Sequence, residues 1–334
     1  MSTVFVSGAT GFIASHTVQQ LLDQGYKVIG SVRSESKGQS LSQALKNNSN
    51  FSYVIIPDIS TPGAFDAVLK QHPEITGFLH IASPFRMNIS DPERDTLIPA
   101  IEGTKNVLKS IQTNAPQISR VVITSSDCAA RENDDKNPNI TLDESVWSKA
   151  TYDSSKVHPV LAYLGSKPLA EKLAWDFVKR ENPNYELVTV LPSYTFGPQI
   201  DDSLISPVLN QSSQVLEQIV YSNPDSELQH HVGSFIDVRD AARAHIVALT
   251  SKQAVGRRLI LSSSRFTSQS IYDILADKYP NLNTFKGEKG TDVEEIKQLQ
   301  QLNYSTTKEI LGFEYVPLKK SVVDCVDQLQ RVRA

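Results

Sequence analysis

The chain of 334 residues has only two cysteines, Cys128 and Cys325. Two thiols support no disulfide framework and fit a reducing compartment, so a cytoplasmic location is expected. Cys128 follows a Thr-Ser-Ser run, where a small buried residue suits a strand end better than a reactive thiol. An excess of one charge is also lacking, with 33 lysines and arginines against 37 aspartates and glutamates, a net of −4. With no long basic run, nucleic acid is not an implied partner. No apolar stretch approaches the ~18 residues of a membrane span, and the N-terminus enters a strand pattern rather than a charged-then-apolar leader. Membrane and secretion are therefore not expected, and Asn-x-Ser/Thr triplets such as Asn47 and Asn88 carry no meaning. The adjacent pair His230-His231 has no obvious third ligand nearby and reads as loop, so no metal is expected. Repeats and low-complexity tracts are missing too.

What the chain does have is alternation of strand and helix patterns. Thr3-Val-Phe-Val-Ser7 is a short apolar run that ends in Gly8-Ala-Thr10-Gly11-Phe12-Ile13-Ala14. A helical period follows through Val18, Leu21 and Leu22, and then a second strand from Lys27 to Val32. Strand, glycine turn, helix and strand within about thirty residues make a dinucleotide-binding βαβ unit. Gly8 permits the tight turn, Gly11 lets the backbone approach a pyrophosphate, and Ala14 lets the helix lie close to the sheet. Amides freed at the helix start hold the anion. The other Gly-x-x-Gly, Gly287 to Gly290, has no strand before it and reads as loop. An NAD site usually ends its second strand with an acid. Here stand Arg33 and, a helical turn on, Lys37, which would pair with the 2′-phosphate of NADPH.

A strand over Ser52–Pro57 ends at Asp58-Ile59, a natural place to hold an adenine. A helix is expected over 62–71, then a strand over Gly77–Ala82 that opens into Ser83-Pro84-Phe85. A long helix over 93–113 leads to the strand Arg120–Ser126. Repeated βα units specify an α/β fold with a doubly wound parallel sheet, the Rossmann arrangement, whose ligand lies beyond the strand C-termini. Gly8, Arg33, Asp58, Ala82 and Ser126 all fall there. From Asp127 to about Pro159 the period is lost, as in an insertion that covers the site. A further strand, 186–191, turns out at Pro192. The nucleotide-binding domain is therefore expected over 1–192, with a strand and helix returned from about 232–262. A smaller C-terminal lobe, mainly 193–334, would bind substrate.

Tyr163 and Lys167 stand at i and i+4, a spacing that puts both on one helical face, about 5–6 Å apart at Cβ. A unit charge roughly 4 Å from a phenol is worth about 4 kcal/mol at an effective dielectric of about 20. That is enough to lower a tyrosine pKa from about 10 toward about 7. The same spacing recurs at Tyr152/Lys156, Tyr304/Lys308 and Tyr315/Lys319. Pro317 interrupts the last pair, and Tyr304 is far from any phosphate loop. Tyr152 lies among Asp153, Ser154, Ser155 and Pro159, a turn-like composition. Only Tyr163 leads into an apolar stripe, through Leu169, Leu173, Phe177 and Val178, with Pro168 tolerable if the helix bends or begins a turn earlier.

Ser7-Gly-Ala-Thr-Gly-Phe-Ile-Ala14, Thr124-Ser-Ser126, Tyr163-x-x-x-Lys167, Pro192-x-x-x-Phe-Gly-Pro198 and Phe235-Ile-Asp-Val-Arg-Asp240 together resemble the extended short-chain dehydrogenase/reductases. Within them the chain is most similar to the dihydroflavonol-reductase-like branch, especially its yeast NADPH-dependent methylglyoxal and isovaleraldehyde reductases. The likeness covers nearly the whole chain, with motifs in family order. It implies Tyr163 as proton donor, Lys167 as the residue that holds the nicotinamide ribose, and Ser126 as a hydrogen bond to the substrate carbonyl, with Ser125 the weaker candidate. Pro192 and Ser193 would lie at the nicotinamide. Phe85, Asp127, Arg131, Val160, Thr195 and Phe196 would wall the substrate. Asp127 departs from the branch, which commonly has an aromatic or small apolar residue there. It pairs with Arg131 at the rim, or favours a polar substrate, or points away and only caps the following turn.

The resulting expectation is NADPH-dependent reduction of aldehydes and ketones by a monomer or homodimer. A nucleotide-sugar epimerase or dehydratase shares the serine and Tyr-x-x-x-Lys but would normally keep NAD, against Arg33. A non-catalytic NADPH-sensing protein would not need Ser126, Tyr163 and Lys167 together.

Overall fold

The structure, a computed structural model, describes residues 2–83, 89–131, 137–205, 211–225 and 230–333. Its first half alternates β1 (Thr3–Ser7), α1 (Phe12–Asp23), β2 (Lys27–Val32), α2 (Glu35–Ala44), β3 (Phe51–Ile55), α3 (Asp66–Gln71), β4 (Ile75–His80), α4 (Ile98–Asn114) and β5 (Arg120–Thr124). The covering segment holds only β6 (Thr141–Leu142) and α5 (Tyr152–Ser155) before α6 (Pro159–Glu181) and β7 (Glu186–Pro192). The rest is β8 (Tyr194–Phe196), α7 (Gln211–Val220), β9 (Val232–Asp237), α8 (Val238–Thr250), β10 (Arg258–Leu261), β11 (Ser264–Thr267), α9 (Ser268–Lys278), α10 (Asp292–Lys297), β12 (Gln301–Leu302), α11 (Ser305–Leu311) and α12 (Leu318–Arg333).

Seven parallel strands form one sheet in the order β10-β7-β5-β4-β1-β2-β3. Its central strands are apolar and buried in their middles, as helices on both faces require. Val18, Leu21, Ala244 and Ile246 of α1 and α8 pack on one face. Val107, Ile111, Ala174 and Phe177 of α4 and α6 pack on the other. Order reverses between β1 and β4, which opens a crevice at the strand C-termini.

Beyond β7 the chain builds a second, three-stranded sheet, β11-β9-β8, over a core of Phe196, Phe235, Phe266, Tyr272 and Val322. β9 belongs to this sheet, whereas α8 and β10 lie on the large one. Several element boundaries shift by a residue or two from the sequence reading, and two helices differ more. The helix expected over 62–71 is regular only from Asp66, and the one expected from Glu93 opens with a π turn over Glu93–Leu97. No helix among the described residues is long and apolar enough to cross a membrane.

Candidate active site

The β1–α1 turn carries the backbone demands that glycine alone meets cheaply. Gly8 has φ +65°, and a Cβ placed on it would lie 2.9 Å from the Ala82 Cβ. Its amide donates to Ser31 Oγ at 2.9 Å, and the Gly11 amide closes the turn onto the Gly8 carbonyl at 2.8 Å. Gly11 then caps α1 without a side chain, leaving the first helical amides directed into the crevice. Behind the turn, the Ala82 amide donates to Ser7 Oγ at 3.0 Å, and Ser7 meets His80 Nδ1 at 2.9 Å. Burial, helped by the Lys167 charge, lowers His80 to about 3, so the ring is neutral.

The crevice has a volume of about 1250 Å³. Gly8, Thr10, Gly11, Phe12 and Ile13 line it at the start of α1, with Ala82 and Ser83 opposite. Arg33 and Lys37 stand exposed along the same crevice, beside Asp58 and Ile59. One Asp58 oxygen accepts from the Ser60 amide and hydroxyl, at 2.8 and 2.6 Å. Pro84 and Phe85 lie outside the described residues.

Ser126, Asp127, Arg131, Val160, Tyr163, Lys167, Pro192, Ser193 and Thr195 line the crevice beyond β5 and β7. Ser126 caps a single 3-10 turn, Asp127–Ala130, by accepting from the Cys128 amide. Its hydroxyl lies 3.3 Å from Asp127 Oδ1 and is hydrogen-bonded to Tyr163. Lys167 Nζ lies 5.9 Å from the centre of the Tyr163 ring. The two serines of the pair are sharply distinguished. Ser125 Oγ donates at 2.8 Å to the buried Glu171, so its hydroxyl is already engaged.

The electrostatic argument from spacing is corrected here. Burial pushes the Tyr163 pKa well above the usual phenol range, the neighbouring Cys128 adds to this, and the Ser126 hydrogen bond only partly offsets it. Burial also lowers Lys167, to about 8. Desolvation thus outweighs the attraction between ammonium and phenolate that the i, i+4 spacing suggested.

Helix α6 starts a turn before Tyr163, with His158 Nδ1 accepting from the Val160 amide and Pro159 in its first turn. Pro168 sits inside it and offers no amide to the Leu164 carbonyl. The Cys128 thiol donates weakly to that carbonyl at 3.8 Å, which gives the buried cysteine a structural task. The other tyrosine–lysine pairs are turned to separate partners. Tyr152 donates to Glu93, and Lys156 pairs with Asp153. Lys308 meets Glu314 at 3.8 Å, while Tyr304 is packed against the buried Ala129, Ala130, Leu191 and Ile260. His230 meets Glu295 at 3.0 Å.

Phe196 is a correction. It is fully buried in the lobe core, against Phe235 and Phe266, and does not wall the crevice. Residues missed by the sequence reading include Tyr194, Ser31 and Ser212, which line the crevice, and Glu171 with Arg258 behind Ser125. Glu171 carried one signal, its i+4 spacing from Lys167. Arg258 carried none.

The model of the NAD dependent epimerase/dehydratase family matches residues 4–261. The chain is 42% identical over 337 residues to the NADPH-dependent methylglyoxal reductase of Saccharomyces cerevisiae, covering 98% of each. The crystal structure of the yeast methylglyoxal/isovaleraldehyde reductase complexed with NADPH has a TM-score of 0.96 at 41% identity, over 99% of both chains. Gre2 of Candida albicans in complex with NADPH gives 0.97 and 43%, over 100% of both. A UDP-glucose-4-epimerase of Stenotrophomonas maltophila with bound NAD covers 100% of this chain and 99% of its own at 18% identity and a TM-score of 0.74, a likeness of fold alone.

Proposed function

This chain belongs to the NAD dependent epimerase/dehydratase family, and we propose that within it the protein is an NADPH-dependent reductase of aldehydes and ketones. The observation that carries this reading is the hydrogen-bonded pair Ser126–Tyr163 beside the buried Lys167, in a crevice that also carries Arg33 and Lys37. The NADPH in the solved relatives and their reductase activity support it.

The residues fit the cofactor. A side chain at Gly8 would collide with Ala82 and disturb the turn before α1, whose first amides carry no side-chain cap. Ser193 Oγ is buried without a hydrogen-bond partner. Gly8, Thr10, Gly11, Phe12 and Ile13 would hold the pyrophosphate, Arg33 and Lys37 the 2′-phosphate, and Asp58 and Ile59 the adenine end. Ala82 and Ser83 would flank the middle, with Pro192 and Ser193 at the nicotinamide. Bound there, NADPH supplies the hydride that reduces the carbonyl carbon.

The chain supplies the proton and the geometry. Burial keeps Tyr163 a neutral phenol, the form that can give a proton to the carbonyl oxygen. The Ser126 hydroxyl donates to the same oxygen as negative charge develops. Lys167, at about 8, is charged at neutral pH and stabilises the phenolate left behind. It would also hold the ribose. Asp127, Arg131, Val160 and Thr195 would wall the substrate. The basic Arg33 and Lys37 favour this over sugar-nucleotide epimerisation with NAD. A cytoplasmic location and a monomer or homodimer complete the proposal.

A panel of aldehydes and ketones that includes methylglyoxal and 3-methylbutanal, followed by NADPH absorbance, tests it. Turnover with NADPH in preference to NADH is expected, and loss of it in Tyr163→Phe. No oxidation of NADPH on any member of the panel would end the reading.

A further inference from the structure

Ser126 stands between two residues that a single buried ion pair holds. On one side the Ser125 hydroxyl donates to Glu171 Oε2 at 2.8 Å. On the other the Ala129 carbonyl accepts from Arg258 Nη2 at 3.1 Å and from the Ser148 amide at 2.9 Å. Glu171 and Arg258 meet at 2.8 Å, with side chains 0% and 8% exposed.

The pair reaches across elements distant in the chain. Glu171 lies on α6 one turn beyond Lys167, and Arg258 on β10, the outer strand of the large sheet. Arg258 Nη1 donates to the Glu144 and Val146 carbonyls at 3.1 and 2.5 Å, and its guanidinium lies 3.6 Å from the Trp147 ring centre. Glu171 Oε1 also accepts from Thr189 Oγ1 at 2.8 Å. One planar group therefore ties the turn after Ser126 to the returning end of the covering segment.

A buried ion pair is poor evidence for stability, since apolar packing of the same volume often serves better. What a guanidinium offers is a rigid fork of donors with fixed directions. We propose that Glu171 and Arg258 are positioning residues, which hold the Ser125–Ala129 segment so that Ser126 Oγ meets the carbonyl oxygen beside Tyr163. This rests on the reading of Ser126 as the carbonyl contact. Neither residue touches substrate in it, and both act through Ser126.

The test compares Ser125→Ala and Arg258→Lys, each alone and combined with Ser126→Ala, by kcat, KM and the Kd for NADPH from fluorescence. Misplacement by about 1 Å costs about a hundredfold in rate. Each single variant is therefore expected to lose about ten- to a hundredfold in kcat at unchanged NADPH Kd. In the Ser126→Ala background each should add less than about twofold, as groups acting through one another do. Full additivity overturns the proposal, and so does wild-type kcat in both single variants. Should Arg258→Lys fail to fold, Ser125→Ala decides alone, because Glu171 keeps Arg258 and Thr189. Full turnover in Ser126→Ala instead overturns the reading of Ser126 itself.

Discussion

The Tyr152 hydroxyl donates to Glu93 Oε1 at 2.8 Å, which ties α5 to the π turn that opens the α4 helix. This contact turns the tyrosine nearest in sequence to Tyr163 toward a structural partner. Tyr152→Phe should cost about 1 kcal/mol of stability, the worth of one hydrogen bond, and leave kcat nearly intact. Tyr163→Phe should cut kcat by about a thousandfold while NADPH still binds, since it removes only the acid. Kinetics and NADPH titration of both proteins check this, and the reverse pattern would exchange the two assignments.

Arg33 stands exposed on the crevice at the end of β2, with Lys37 one turn into α2. Arg33→Asp removes a charge-assisted contact to a 2′-phosphate and adds repulsion. Its Kd for NADPH should rise about a hundredfold, at about 1.4 kcal/mol per tenfold, with little change for NADH. Equal affinity of the wild-type protein for both cofactors would refute the assignment.

Gly165, between Tyr163 and Lys167, lies against Ser155 of α5, where an added Cβ would overlap the serine Oγ and Cβ. Gly165→Ala should therefore destabilise by about 1–3 kcal/mol, the usual cost of overpacking. Adding Ser155→Gly should restore part of the loss. Urea midpoints of the four proteins measure the coupling, and a stable Gly165→Ala would show that α5 moves aside freely.

Lys167 gives a pH dependence whose sign follows from burial. Its folded pKa, about 8, lies below the ordinary lysine value of 10.5. Below pH 8 the lysine is charged in both states, and the folded protein carries the full cost of burying it. Between about pH 8 and 10.5 the folded protein releases its proton first, so this cost fades as pH rises. The cost is on the order of 3 kcal/mol at 1.36 kcal/mol per unit. Without cofactor, Lys167→Met should be more stable than wild type at pH 7 and equal to it near pH 10.5, while lacking turnover. A constant difference across that range would contradict the assignment.

The parts of the site legible in the sequence are those set by local geometry. The turn at Gly8 demands a residue at φ +65°, and the spacing of Tyr163 and Lys167 fixes a shared helical face. What the sequence hid depends on distant packing. Both serines line the crevice, and it is Glu171, 46 residues from Ser125 and with Arg258 behind it, that engages the Ser125 hydroxyl. The direction of the Tyr163 shift depends on how much surrounds it, which spacing cannot show. The burial of Phe196 is likewise set by distant packing, since Tyr194 and Thr195 both line the crevice while Phe196 stacks on Phe235 and meets Phe266 edge-on.

Asp127 raises the question of substrate charge. It is 8% exposed, lines the crevice, and places Oδ1 3.3 Å from Ser126 Oγ. The turn that follows is capped by Ser126, so capping is not the task of Asp127. Its carboxylate competes for the Ser126 hydrogen that a substrate carbonyl would accept, and it repels an anionic group bound nearby. Neutral aldehydes and ketones should therefore be favoured over 2-oxo acids. Asp127→Asn keeps the shape and removes the charge. It should shift the kcat/KM ratio of methylglyoxal to pyruvate toward pyruvate by about tenfold, which corresponds to about 1.4 kcal/mol. The NADPH Kd should not move, since Arg33 and Lys37 are unaltered. If the ratio is the same in both proteins, the carboxylate does not act on the substrate, and Asp127 serves only the local structure around Ser126 and Arg131.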